Sequence, residues 1–267
     1  MTAHHIRYEV DAEGIATITI DRPEKRNAMT YAMLGALHEA IAKASEDPAA
    51  RVVILTGVPG SFCAGTDLSD LQDTPTGERG TRAGSSSAHR PNDANAWPLL
   101  RCPKPVICAI DGFAMGMGAE FTSQADVRIM TTRAKIAWNF AQRGLVPDTG
   151  AGSWLLPRII GPQRALRLLY SAAFLEAEEA LAIGYAAEVV APEALADAAH
   201  AEARRYLVNS PFSHARIKEL VWRGLERDVE EHMKHHLAAM AECFASEDHK
   251  EGVASFLERR PARFTGR

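Results

Sequence analysis

Apolar residues recur along the first two-thirds of the chain at two spacings, and the spacing changes wherever turn-forming residues stand. Ile15–Ile20 alternates, with Ala16, Ile18 and Ile20 on one face of a strand and Ile15, Thr17 and Thr19 on the other. Arg7–Val10 predicts a partner strand, reached through Asp11-Ala12-Glu13-Gly14. Beyond Arg22-Pro23 the period lengthens to that of a helix, with Thr30 as its N-cap and Met33, Leu34, Leu37, Ile41 and Ala44 on its apolar side. Val52–Thr56 and Val106–Ile110 are short, continuous apolar runs closed by glycine-containing turns. Met117–Gln124 then predicts a helix, and Val127–Met130 and Ile136–Trp138 two further strands. This alternation indicates an α/β fold and leaves an open sheet and a wound spiral both available.

From Pro162 onward the pattern is helical. PQRALRLLYSA opens with proline in its first turn, and LEAEEALAIG closes at Gly184, a C-cap position. A short strand, Ala186–Val190, precedes four more helical stretches reaching about Arg259. Residues 72–98 are rich in Gly, Ser, Thr, Pro and Asp and read as a loop or lid.

Composition narrows the function classes. The formal net charge of the 267 residues is −4 and no basic stripe stands out, which argues against nucleic acid as a partner. The start, MTAHHIRYEV, lacks the charged-then-apolar build of a secretory signal, and no apolar run approaches the ~18–20 residues of a membrane span. A cytoplasmic protein is expected. Cys63, Cys102, Cys108 and Cys243 lack metal-ligand spacing, and three of the four sit in apolar or small-residue runs, as reduced buried thiols do. His232, His235 and His236 share a helix with Glu231, but a solvated charged face explains them better than zinc, since no further ligands are evident.

Two glycine-containing turns carry the candidate chemistry: Ala64-Gly65-Thr66-Asp67 in VVILTGVPGSFCAGTDL, and Gly116-Met117-Gly118 in KPVICAIDGFAMGMGAE. Each is read as a strand-to-helix turn, which leaves the first helical N–H groups unpaired at the positive end of the helix dipole. Two such turns facing each other make a site for a developing oxyanion.

Together, FCAGTDL and KPVICAIDGFAMGMGAE resemble the signature of the crotonase (enoyl-CoA hydratase/isomerase) family. The likeness continues from DRPEKRNAM through GLVPDTGAGSWLLPR and AEEALAIGYAAEVV to EGVASFLERRPARFTGR. The resemblance implies an α/β spiral of β-β-α units over residues 1–195 and a helical trimerisation region over 196–267, forming a homotrimer or a dimer of trimers. It also implies acyl-CoA substrates, as in fatty acid metabolism, with no cofactor beyond the substrate's CoA. Matched by position, the two oxyanion donors are the N–H groups of Ala64 and Met117. Methionine departs from the usual glycine there, but it keeps the N–H.

Glu120, one helical turn after Met117, matches one of the two glutamates of the family's hydratases. Phe140 stands where the second would be, and phenylalanine transfers no proton. Eight residues on, Asp148 falls where several isomerases of the family carry an acidic base, and GLVPDTGAGSWLLPR looks like the matching stretch of ring-isomerising phenylacetate-pathway enzymes. Asp148 also reads as the N-cap of a helix beginning near Thr149. These features favour proton shuttling on an enoyl-CoA (an isomerase) over two-glutamate hydration. A hydratase, or a non-catalytic acyl-CoA-binding member, remains the alternative. The resemblance assigns the CoA grip to Lys25, Arg26 and Ala28, with Gly65 and Asp67 of the first turn, and to Phe264 and Arg267 reaching from a neighbouring subunit. Trp97, Phe113, Met115, Met117, Trp138 and Phe140 are candidates for the acyl pocket.

Overall fold

A computed structural model describes the backbone of Thr2–Ala3 and residues 5–67 and 97–267; most of the 72–98 segment read as a lid therefore lies outside the described residues. The strands are β1 (Thr2–Ala3), β2 (Ile6–Val10), β3 (Ile15–Ile20), β4 (Val52–Gly57), β5 (Ser61–Cys63), β6 (Val106–Ile110), β7 (Phe113–Met115), β8 (Val127–Thr131), β9 (Lys135–Ala137), β10 (Leu175–Glu176) and β11 (Glu188–Val190). They form a seven-stranded sheet, ordered β1-β2-β3-β4-β6-β8-β11, and a four-stranded sheet, ordered β10-β9-β7-β5. From β3 to β11 the larger sheet is parallel, as are β5, β7 and β9 in the smaller one.

Consecutive strands thus split between the sheets: β4 feeds β5, β6 feeds β7 and β8 feeds β9, each across a bend of two or three residues. Asp111 ties the three bends together. Its carboxylate accepts from the Gly60 N–H of the first bend (2.6 Å), from the Thr131 hydroxyl (2.8 Å) and from both arms of the Arg133 guanidinium beside the third. Burial opposes its ionisation, yet these donors hold the carboxyl below the usual carboxylate range. Gly112 has φ +68°, and a Cβ there would collide with the Gly60 carbonyl, so the bends close only around glycine.

The helices are α1 (Tyr31–Glu46), α2 (Pro98–Arg101), α3 (Met117–Gln124), α4 (Ala151–Trp154), α5 (Leu156–Ile160), α6 (Pro162–Ser171), α7 (Ala177–Ala182), α8 (Leu195–Leu207), α9 (Pro211–Gly224), α10 (Val229–Ala245) and α11 (Glu247–Glu258). Thr30 caps α1 as expected, its hydroxyl accepting the Met33 N–H at 3.2 Å. The sheet has a core on each face, which is why its strands read as continuous apolar runs. Val53, Leu55, Cys108 and Ile110 face α1 and α3, with Ala16, Ile18 and Ile20 in the same core. Ile15, Val52, Ile54 and Ile107 face the opposite side, where Leu195, Ala199 and Ala203 of α8 cover them. The boundary expected at 195–196 therefore falls at the start of a helix that packs on the sheet. Beyond it, α9–α11 leave large apolar side chains in water, among them Ile217, Val221, Leu237 and Phe256, the last 83% exposed. Among the described residues, no helix is long and apolar enough to cross a membrane.

Candidate active site

Strands β5 and β7 are parallel neighbours, with Cys63 opposite Ala114, so the chain leaves both strands at the same end and makes two turns in contact. Neither three-residue strand shows in the sequence pattern. The strand leading into the first turn is Ser61–Cys63, not the Val52–Gly57 strand from which that turn was expected to spring. The contact depends on glycine. A Cβ on Gly65, whose φ is +98°, would lie 3.1 Å from the Met115 carbonyl oxygen, and a Cβ on Gly118 would strike the Cys63 carbonyl. Gly116 takes the unusual backbone angles (φ 50°, ψ −116°), and Met117 follows as the first residue of α3. Methionine is accommodated here because its neighbour, not Met117, carries the strain. The Met117 N–H has no partner among the described residues, as befits a first helical residue.

The first turn is braced by residues 26–29. Met29 bridges to Thr66 in parallel fashion: the Met29 N–H donates to the Gly65 carbonyl and the Asp67 N–H to the Met29 carbonyl, each at 2.8 Å. Successive N–H groups on an extended segment point to opposite sides. Thr66 therefore turns its N–H away from Met29, and among the described residues that N–H has no partner. Ala64 differs from expectation. Its N–H donates to the Arg26 carbonyl at 3.1 Å, so the donor assigned to it is already engaged. The adjacent Cys63 thiol is pushed up to about 12 by burial, reinforced by the charge of Asp148, and is a neutral packed group as anticipated.

Glu120 is fully buried on α3. Its Oε2 accepts from the Thr149 hydroxyl at 2.6 Å and its Oε1 from the Gly152 N–H at 2.8 Å. Burial, followed by the negative charge of Asp148, raises its carboxyl to about 8, against the opposing pull of these donors and of the Ala151 N–H. Asp148 is half-buried in the turn before α4. It does not cap that helix: α4 starts at Ala151 after Gly150, and the Thr149 hydroxyl accepts the Ala151 N–H at 3.2 Å. Phe140 is almost fully buried, and its ring lies 3.8 Å from where a Cβ on Gly116 would stand. An aromatic edge thus occupies the flank of the second turn. Thr66, Thr149 and Gly152 escaped the sequence reading, because their roles depend on contacts with residues 29 to 37 positions away.

The candidate CoA residues lie in two places. Lys25 and Arg26 are exposed on a 3-10 turn (Pro23–Lys25) and its C-cap, within the segment that braces the first glycine turn. Ala28 has its N–H bonded to the Lys25 carbonyl, and its own carbonyl accepts from Arg22, leaving one lone pair. Asp67 is paired with Arg22 at 2.6 Å, and Gly65 accepts from Met29, so both shape the turn. Phe264 and Arg267 lie beyond α11 in a tail that folds back against it, where Asp248 accepts the Thr265 and Gly266 N–H groups and Phe264 lies over Gly252. Of the aromatic candidates, Trp138 packs edge-on against Tyr185 in the core and Phe113 pairs with Phe174, whereas Trp97 touches the Gly150 turn. Among the described residues there is no group of three or more potential metal ligands.

The model of the enoyl-CoA hydratase/isomerase family matches residues 11–267. The chain is 34% identical over 255 residues to a 1,2-epoxyphenylacetyl-CoA isomerase of Escherichia coli (strain K12), covering 96% of each chain. It is also 34% identical over 257 residues to a crotonyl-CoA hydratase of Syntrophomonas wolfei, covering 94% of this chain and 95% of the relative. Among solved structures, an enoyl-CoA hydratase from Bacillus anthracis superposes with a TM-score of 0.91 at 27% identity, covering 99% of this chain and all of the other. The spiral of paired strands, the two glycine turns and these matches together place the chain in the enoyl-CoA hydratase/isomerase, or crotonase, family.

Proposed function

We propose that the chain is an acyl-CoA isomerase that moves a proton along an enoyl thioester through an enolate. The N–H groups of Thr66 and Met117 hold the thioester oxygen as charge gathers on it, Thr66 replacing Ala64 as the first donor. Preorganised donors of this kind are worth about 2.7–4 kcal/mol each in acyl chemistry. Asp148 takes a proton from carbon, the electron pair moves onto the oxygen, and neutral Glu120 gives a proton to a different carbon. Asp148 then returns its proton to Glu120, and the site is reset.

The observation that carries this reading is the pairing of Glu120, held neutral below about pH 8, with a charged Asp148, while Phe140 fills the flank of the hole. A buried carboxyl held neutral can serve as the acid and leave the base work to its neighbour. Lys25 and Arg26 supply charge for the CoA phosphates, and the enolate needs no cofactor beyond CoA itself. The open apolar faces of α9–α11 are read as the self-association surface of a trimer, which would bring Phe264 and Arg267 to a neighbour's CoA. The test uses 3-enoyl-CoA and crotonyl-CoA in deuterium oxide. The isomerase reading expects a shifted double bond with deuterium in the acyl chain, both lost in Asp148→Asn. Fast crotonyl-CoA hydration that survives Asp148→Asn overturns it in favour of a hydratase. Tight binding without label incorporation overturns it in favour of a binding protein.

A further inference from the structure

The two oxygens of Glu120 have different neighbours. Oε1 accepts the Gly152 N–H, and because a backbone N–H only donates, this oxygen remains an acceptor in either protonation state. Oε2 lies 2.6 Å from the Thr149 hydroxyl, which both donates and accepts. Thr149 is itself held from both sides. Its hydroxyl accepts the Ala151 N–H, and its carbonyl accepts the Trp97 indole N–H at 2.8 Å. Trp97 in turn packs against Trp154, with ring centroids 5.4 Å apart.

We infer that Thr149 is a positioning residue for Glu120: anchored through Trp97, its hydroxyl directs the exchangeable proton to Oε2 and adjusts how readily that proton leaves. With Glu120 ionised, the Thr149 O–H donates to Oε2. With Glu120 protonated, the Oε2 hydrogen donates to Thr149 Oγ1, and the threonine hydrogen rotates away. One hydroxyl thus serves both states, and the ionised state gains the charge-assisted bond. The inference deepens the proposed role of Glu120 as the acid and rests on that reading.

Among the described residues, few other charges face this carboxyl. Asp148 precedes α4, and α4 itself has no titratable residue. From β5 comes the neutral Cys63 thiol, while β7 carries none. At the far end of α3, the buried Tyr185 phenol, also pushed up to about 12, bonds to Thr122 and Ser123, and Arg128 bonds to the Thr122 and Ala125 carbonyls. Arg101 of α2 is exposed.

The experiment titrates the Glu120 carboxyl by difference infrared spectroscopy without substrate, using Glu120→Gln to identify its band. Thr149→Val should raise the midpoint by roughly one pH unit, the excess of a hydrogen bond to the charged carboxylate over one to the neutral acid. Thr149→Ser should return the wild-type midpoint, and the pH profile of kcat/KM should move with the titration. An unchanged midpoint in Thr149→Val, or a Thr149→Ser midpoint displaced equally, overturns the inference. Should valine prevent folding, Thr149→Ala gives the same two outcomes. A shifted midpoint in a protein that turns over no acyl-CoA supports the inference while removing the functional reading.

Discussion

Replacing Glu120 with glutamine keeps the shape and removes the ionisation. The amide oxygen accepts the Gly152 N–H, and the amide nitrogen donates to Thr149 Oγ1, whose hydrogen turns away. Burial first, and then the charge of Asp148, raise the wild-type carboxyl from 4.5 to about 8. Below pH 4.5 it is protonated in folded and unfolded chains alike, and its contribution to stability is fully present. Between 4.5 and 8 the folded chain holds a proton that the unfolded chain has released, so wild-type stability falls by about 1.4 kcal/mol per pH unit from this group. Above about 8 the contribution is gone. Relative to wild type, Glu120→Gln should therefore be of similar stability near pH 4.5, about 3 kcal/mol more stable at pH 7 and about 5 kcal/mol more stable at pH 9. Urea denaturation of both proteins at pH 5, 7 and 9 measures this, because titrating groups that do not interact with Glu120 cancel in the difference. The same variant should lose roughly 10²–10⁴-fold in kcat. A stability difference that does not change with pH would refute the claim that a buried, neutral Glu120 is the acid.

Phe140→Glu places a carboxylate beside Gly116 and should raise crotonyl-CoA hydration by roughly tenfold or more, read from the enoyl thioester absorbance; no gain would mean that Phe140 does not flank the hole. Gly118→Ala drives a methyl into the Cys63 carbonyl and should lower stability by about 1–3 kcal/mol, read from the urea midpoint, along with most of the activity. Asp111→Asn removes the carboxylate that gathers Gly60, Thr131 and Arg133. It should lower stability at neutral pH by roughly 1–3 kcal/mol, a deficit that shrinks as pH falls below 3.8, where the unfolded chain's carboxyl takes up its proton first, and is gone once the folded carboxyl protonates as well.

The large features of this fold are legible because each carries its own local signal. The alternation in Ile15–Ile20, the Thr30 cap and the four C-terminal helices stand where the pattern puts them. The short strands β5 and β7 are hidden, since three residues are too few to display a period. The proposed first oxyanion donor is hidden for a different reason. Whether Ala64 or Thr66 offers its N–H depends on Met29 and Arg26, which occupy one side of the segment from more than thirty residues away. Glu120 and Asp148 could be picked out as carboxylates near one turn, but Thr149 and Gly152 become visible only once the 148–152 turn closes over α3. The place of α8 on the sheet is likewise out of reach, because α8 resembles the helices after it and differs in covering Ile54 and Ile107.

The most direct test of the oxyanion site is a crystal structure with a saturated acyl-CoA, which binds but cannot isomerise. The account predicts a thioester oxygen about 2.7–3.2 Å from both the Thr66 and Met117 nitrogens, with the Ala64 N–H still on the Arg26 carbonyl. A thioester oxygen bonded to the Ala64 N–H instead, or lying outside the gap between the two turns, would contradict it.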